Sequence, residues 1–148
     1  MDYLYIGEGI NQNKYVLVLK DDLSSYTRLI ASPDATAETA AEALMSWIAS
    51  FGSMQWITTD QGPHFKNVVM ETVIKELQVQ HNFTTTYSPW PNGTVERACR
   101  EVIRACRVLC SERKLSEKDW ASIIEVVQSI FKSCSFKDAW EKFSLKFI

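Results

Sequence analysis

The run Tyr15-Val16-Leu17-Val18-Leu19 constrains this chain of 148 residues more than any other feature. Side chains along a strand alternate between the two faces of its sheet, so five consecutive apolar residues leave neither face suited to water. Such a strand belongs inside a sheet that is covered on both sides, which points to a layered α/β arrangement. Candidate strands at 2–6 and 27–31 flank it across short polar connections, Asn11-Gln12-Asn13 and Asp21-Asp22 among them, and the three read as an antiparallel meander. From Thr36 to Phe51 the apolar residues Ala40, Ala41, Leu44, Trp47, Ile48 and Phe51 repeat at three and four, which is one face of a helix, and Gly52 ends it. A fourth strand follows at 55–59, a helix at 67–78 marked by Met70, Ile74 and Leu77, and a fifth strand at 79–85. Beyond Pro89 and Pro91 a long helix is expected from Gly93 to Arg113. Another starts at Ser116, whose side chain forms a cap with Asp119 and whose buried face is Trp120, Ile123, Ile124, Val127 and Phe131. The order predicts a mixed five-stranded sheet, three antiparallel strands then two parallel ones, flanked by helices.

With 46% hydrophobic and 23% charged residues the chain reads as one domain with a core, which excludes a disordered tail or a tandem array. The net charge of −2 advertises no polyanion partner, so a nucleic-acid surface has to be local. Cys99, Cys106, Cys110 and Cys134 form no C-x-x-C pair. The first three recur at helical spacing and read as buried, reduced thiols, which favours an intracellular setting. No apolar run approaches the roughly 18 residues that span a bilayer, and no membrane partner is expected. Residues 132–148 interleave Lys132, Lys137, Lys142 and Lys146 with Phe136, Trp140, Phe143 and Phe147, and are set apart as a divergent tail: an extra amphipathic helix or an appended segment without a role in the fold.

Candidate chemistry rests on Asp60 and Glu96, with 35 residues between them. Spacing alone decides nothing, because Asp2 and Glu38 are separated by the same interval. Context favours the first pair. Thr59-Asp60-Gln61-Gly62-Pro63 puts a carboxylate at the carboxyl end of a strand, where sheet enzymes tend to place ligands, and Gly62 permits a tight turn beyond it. A loop over Pro89 to Gly93 would deliver Glu96 to a helix start, beside unpaired N–H groups. If the first strand lies beside the fourth, Asp2 joins them. Three converging carboxylates repel one another, and divalent cations that prefer hard oxygen ligands, such as Mg²⁺, relieve that repulsion. On the long helix, at about 100° per residue, Arg97, Arg100, Arg104 and Arg107 fall within an arc of about 80° with Glu96 at its margin. Cys99, Val102, Ile103, Cys106, Leu109 and Cys110 occupy the other side. The arginine face is either a solvated surface, partly balanced by Glu101, or a track for DNA phosphates.

The strings DYLYIG at 2–7, TTDQGPHF at 58–65 and YSPWPNGTVER at 87–97 resemble the catalytic core of retroviral and LTR-retrotransposon integrases, of the gypsy-type branch especially. KDDLSSY at 20–26 is similar to the family's segment between strands two and three. The resemblance covers residues 2 to about 131 and implies an RNase H-like fold, with a D,D-35-E triad at Asp2, Asp60 and Glu96 holding two Mg²⁺ or Mn²⁺ ions. It implies trimming of element DNA ends and their joining to target DNA, a homodimer or larger assembly supported by the helix of Trp120, and work in the nucleus or in a cytoplasmic particle before import. By position it sets His64, Trp90, Asn92 and Gly93 near DNA: His64, able by residue type to ligate a metal or carry a proton, is expected to face solvent or DNA beside the site, and Trp90 to stack on a base or pack the loop. The expected domain is 1–131, begun within its first strand, as a fragment of a longer polyprotein would be. Two rival functions remain open: a silent relic that only binds nucleic acid, and an RNase H or resolvase-type nuclease.

Overall fold

The computed structural model of the protein describes residues 1–84 and 89–132, with the backbone alone for 89–92 and 132. The tail beyond Lys132, Cys134 included, lies outside the described residues. Strands β1 (Asp2–Tyr5), β2 (Tyr15–Lys20) and β3 (Thr27–Ser32) form the antiparallel meander, with β2 in the middle. Asp2 lies opposite Val18, which in turn faces Leu29. Helix α1 (Ala37–Phe51) leads to β4 (Trp56–Thr59), then α2 (Val68–Glu76) and β5 (Gln80–Phe83), and β4 and β5 pair in parallel. Helix α3 (Pro89–Glu112), a 3₁₀ turn at Glu117–Asp119 and α4 (Trp120–Lys132) complete the order. The two ladders meet where the Met1 ammonium donates to the Thr58 carbonyl at 2.7 Å, which sets the start of β1 beside β4.

Strand β2 does what its sequence demands. Val16 and Val18 enter an apolar cluster with Val102, Cys106 and Leu109 of α3 and Ile123 and Val127 of α4. Leu17 and Leu19 enter a second, with Leu44 of α1 and Met70 and Ile74 of α2. Alternate residues of one strand thus hold two helical layers, each fully buried Val or Leu contributing about 1.5–3 kcal/mol. The helix caps follow local chemistry. Thr36 and Asn67 accept at their side chains from the N–H groups of Thr39 and Met70, and Gly52, at φ +87°, donates its N–H to Ile48. Ser116 and Asp119 form the expected reciprocal cap, on a 3₁₀ turn that runs into α4. The five apolar residues expected on α4 are all buried.

Most element ends differ from expectation by one or two residues, and the starts of β5 and α3 have a local cause. The N–H of Val79 turns back to the Ile74 carbonyl at 3.0 Å, so β5 begins one residue later, at Gln80. Helix α3 begins at Pro89 and not at Gly93, so residues 89–93 are its first turn and not a loop. The physical reason is that N–H groups in the first turn of a helix have no intrahelical partner, so Pro89 and Pro91 forfeit nothing there, and proline's fixed φ already suits a helix start.

Candidate active site

On β1 the side chains alternate between the layers. Tyr3 packs with the α1/α2 cluster, whereas Leu4 and Ile6 pack with the α3/α4 cluster. Asp2 shares the parity of Leu4, and its cross-strand partner Val18 belongs to the α3/α4 cluster, so Asp2 lies on the face that α3 covers. It is half-buried. Its carboxyl is held above the ordinary carboxylate range, first by burial and then by the charge of Asp60, with the Met1 ammonium and the Tyr3 N–H acting the other way. Asp60 follows β4 directly, and its Oδ1 accepts the Gly62 N–H at 2.9 Å. Gly62 is needed here because of close approach: a Cβ on it would stand 2.6 Å from Cε1 of His64 and 3.0 Å from Asp60 Oδ1.

Burial of Asp2 next to Asp60 also bears on stability. Because the folded chain holds the Asp2 proton more tightly than the unfolded chain, ionisation of Asp2 opposes folding. Below the ordinary value of 3.8 both states are protonated and the penalty is absent; it grows as pH rises through the higher folded value and is complete above it. In metal-free buffer Asp2→Asn is therefore expected to melt at a higher temperature than the wild type at neutral pH, and at the same temperature near pH 3. Equal melting at neutral pH would contradict the raised Asp2 carboxyl that burial and Asp60 produce.

Glu96 is exposed, on the eighth residue of α3, and so lacks the unpaired N–H groups expected beside it at a helix start. Its connection to Asp2 runs past Cys99, one turn on. That buried thiol is pushed up to about 12, first by desolvation, then by the charge of Asp2, and to a smaller extent by that of Glu96. Asp60 thus acts on Asp2, and Asp2 and, more weakly, Glu96 act on Cys99, while Glu96 is not among the groups that shift Asp2. Among the described residues no three His, Cys, Asp or Glu side chains are gathered closely enough to hold a metal ion. The donors suit a hard divalent cation in kind, and Asp2 lies in the field of Asp60, whereas Glu96 stands apart.

Arg97, Arg100, Arg104 and Arg107 are all exposed along α3, while Cys99, Val102, Cys106, Leu109 and Cys110 are buried and Ile103 half-buried, as the periodicity requires. Cys99, Cys106 and Cys110 are free thiols. Gly93 lies within α3; the side chains of Trp90 and Asn92 lie outside the described residues. Trp120 is buried as expected, 2% exposed, and donates from Nε1 to the Gly7 carbonyl at 3.1 Å.

His64 corrects the expectation that it faces solvent or DNA. Its side chain is 19% exposed and its Nε2 is buried without a hydrogen-bond partner among the described residues, 3.7 Å from Asp60 Oδ1. A buried polar atom left so costs about 1–3 kcal/mol. His81, to which sequence assigned no chemistry, has Nε2 2.8 Å from the hydroxyl of Thr59, and burial holds its imidazole below the ordinary range. The parallel register of β4 and β5 makes that pair, and no local motif announces it.

A three-stranded meander followed by two parallel strands, with helices on both faces and acids at β1 and at the end of β4, defines an RNase H-like α/β protein. The profile described as "Integrase core domain" matches residues 1–89, and the chain belongs to that family. It is 30% identical over 111 residues to the retrovirus-related Pol polyprotein from transposon 412 of Drosophila melanogaster, covering 74% of this chain and 9% of that protein. It is 28% identical over 128 residues to the Gag-Pol polyprotein of feline leukemia virus, covering 86% of this chain and 7% of that protein. The chain thus spans less than a tenth of either polyprotein. Among solved structures it is similar to a chain of the simian T-cell lymphotropic virus intasome in complex with PP2A regulatory subunit B56 gamma, with a TM-score of 0.64 and 22% identity, over 74% of this chain and 40% of that one.

Proposed function

We propose that the chain is the catalytic core of an integrase that cleaves the 3′ ends of element DNA and transfers them to target DNA. The observation that carries this reading is the placement of Asp2: half-buried on the α3 side of β1, whose start lies beside β4, the strand that leads directly into Asp60. Kinship with Pol polyproteins and likeness to an intasome chain support DNA as the substrate. Asp2, Asp60 and Glu96 would hold two Mg²⁺ or Mn²⁺ ions. When bound, such a pair supplies Lewis-acid stabilisation to the entering and departing oxygens of a phosphodiester. In the cleavage step a water oxygen bonds to phosphorus as the bond to the 3′ oxygen breaks. In the transfer step the freed 3′ hydroxyl plays the part of that water against target DNA.

The protein's own part is positional. Asp60 has its Oδ1 tied to the Gly62 N–H, which leaves Oδ2 to ligate. Burial and the charge of Asp60 disfavour the ionised Asp2, a penalty that a bound cation would relieve. The arginines of α3 would follow the phosphate backbone beside the acids, Gly93, Asn92 and Trp90 would meet DNA at the head of the same helix, and the working unit would be a homodimer or larger assembly acting in the nucleus. Replacing Arg100 and Arg107 with alanine is expected to weaken DNA binding and to flatten the dependence of log K on log salt by about 0.9 for each phosphate that is no longer neutralised. Binding isotherms at several salt concentrations check this, and an unchanged slope would make the arginines ordinary surface.

The exposed position of Glu96, outside any three-ligand cluster among the described residues, favours a second reading, a nucleic-acid-binding protein without turnover. A disintegration assay separates the two. With branched DNA and Mn²⁺ the chain is expected to release the joined strand, and a folded chain that binds the substrate without product would favour the second reading.

A further inference from the structure

We propose that His64 is a positioning residue for Asp60: its Nε2–H donates to the Asp60 carboxylate and fixes that carboxylate's place relative to Asp2. The inference rests on the cation site proposed above and assigns to it a residue outside the three acids.

Three independent features hold the imidazole where it is. Its ring meets Tyr3 edge-on, with centroids 5.0 Å apart, and Phe65 edge-on at 4.4 Å, while Tyr3 and Phe65 stack on each other at 5.5 Å. Tyr3 is the β1 neighbour of Asp2, and its hydroxyl donates to the Thr36 carbonyl at 2.8 Å, so it cannot drift. The backbone of Gly62 passes so close beneath the ring that a Cβ there would lie 2.6 Å and 2.7 Å from Cε1 and Nε2 of His64. His64 is thereby in contact with the strand that carries Asp2 and with the turn that carries Asp60. A phenylalanine in the same place would satisfy all of these packing contacts. What it would lack is Nε2, the one atom of the ring that is buried, polar and unpartnered among the described residues, and that atom stands 3.7 Å from Asp60 Oδ1.

At 3.7 Å the two atoms stand outside the range of an N–H···O hydrogen bond, about 2.7–3.2 Å, so the proposed bond requires them to draw together by about 0.5 Å. Oδ1 already accepts the Gly62 N–H, and an ionised carboxylate oxygen has lone pairs for a second donor. A neutral imidazole carries its proton on one nitrogen, and the arrangement selects the Nε2–H tautomer. With Gly62 and His64 both on Oδ1, the opposite oxygen of Asp60 is fixed for a cation. Outer partners of ligating carboxylates do this work elsewhere, and their loss typically weakens metal binding by about 10–100-fold.

The test compares the wild type with His64→Phe, which keeps the ring and loses the donor, and His64→Gln, which restores an N–H donor. Mn²⁺ affinity is read by EPR, folding by thermal melting, and the histidine nitrogens by ¹⁵N NMR. The expected result is about tenfold weaker Mn²⁺ binding by His64→Phe, substantial recovery in His64→Gln, and an Nε2–H tautomer whose nitrogen shift moves in Asp60→Asn. Wild-type affinity in His64→Phe would overturn the proposal, as would equal losses in the two variants. If the wild type binds no Mn²⁺, the cation site itself fails, and the NMR arm still decides the pairing, because an Nε2 signal indifferent to Asp60→Asn means there is none. Should His64→Phe not fold, His64→Gln and the NMR arm decide.

Discussion

Trp120→Ala is expected to lower the free energy of unfolding by about 3–5 kcal/mol, the range for removing a large aromatic side chain from a packed interior. Trp120 opens α4, is 2% exposed and shares its cluster with Val16 and Val18 of the central strand and Val102 and Cys106 of α3. Its indole Nε1 donates to the Gly7 carbonyl, 113 residues away, so the substitution also leaves an acceptor without its donor. The surroundings have little room to collapse. A Cβ on Gly9 would lie 3.1–3.2 Å from the carbonyls of Asn13 and Lys118 and from the indole nitrogen itself. Set against a total stability of about 5–15 kcal/mol, the loss removes a large fraction of what holds the domain folded. Urea denaturation measures it. A loss below about 1 kcal/mol would mean that the β1–β2 turn and α4 are not joined through this residue.

How far the chain could be read without coordinates depends on whether a feature is local. The YVLVL strand, the α1 periodicity with Thr36 and Gly52 at its ends, the Ser116–Asp119 cap and the division of α3 into an arginine face and a cysteine face all stand as expected, because each is fixed by residues within a few turns of one another. The start of α3 was obscured for a specific reason. Proline ordinarily signals a loop, and a Pro-Trp-Pro-Asn-Gly string carries several such signals, yet in a first helical turn a missing N–H costs nothing. With that boundary moved, Glu96 shifts from a helix start into the second turn and loses its expected electrostatic support. The two histidines were opaque for another reason. His64 is turned inward by Tyr3, which lies 61 positions earlier in the chain, and His81 finds its partner in Thr59 on a neighbouring strand. Contacts of that range follow from sheet order and register, which periodicity cannot supply. Motif strings located Asp2, Asp60 and Glu96, and it is the strand parity of β1 that shows Asp2 to face α3.

The second large effect falls on those acids. Asp60→Asn and Glu96→Gln keep size and shape and remove one negative charge each, so packing is spared and any loss belongs to chemistry. Each is expected to reduce turnover by more than about a hundredfold, the scale on which losing one preorganised charge-stabilising group acts, which corresponds to about 2.7 kcal/mol in the barrier. Asp2→Asn should share the defect while folding more stably at neutral pH, since the charge it removes opposes folding. A loss of activity together with a gain in stability is the signature of a carboxylate kept for a cation, and a merely structural aspartate would lose both.

The most direct measurement is the rate at which branched DNA is resolved in Mn²⁺ by equal folded amounts of the wild type, Asp2→Asn, Asp60→Asn and Glu96→Gln. Release of the joined strand by the wild type and by none of the three variants is the expected result. Product formation at the wild-type rate by any one of them would contradict a shared role for these three carboxylates.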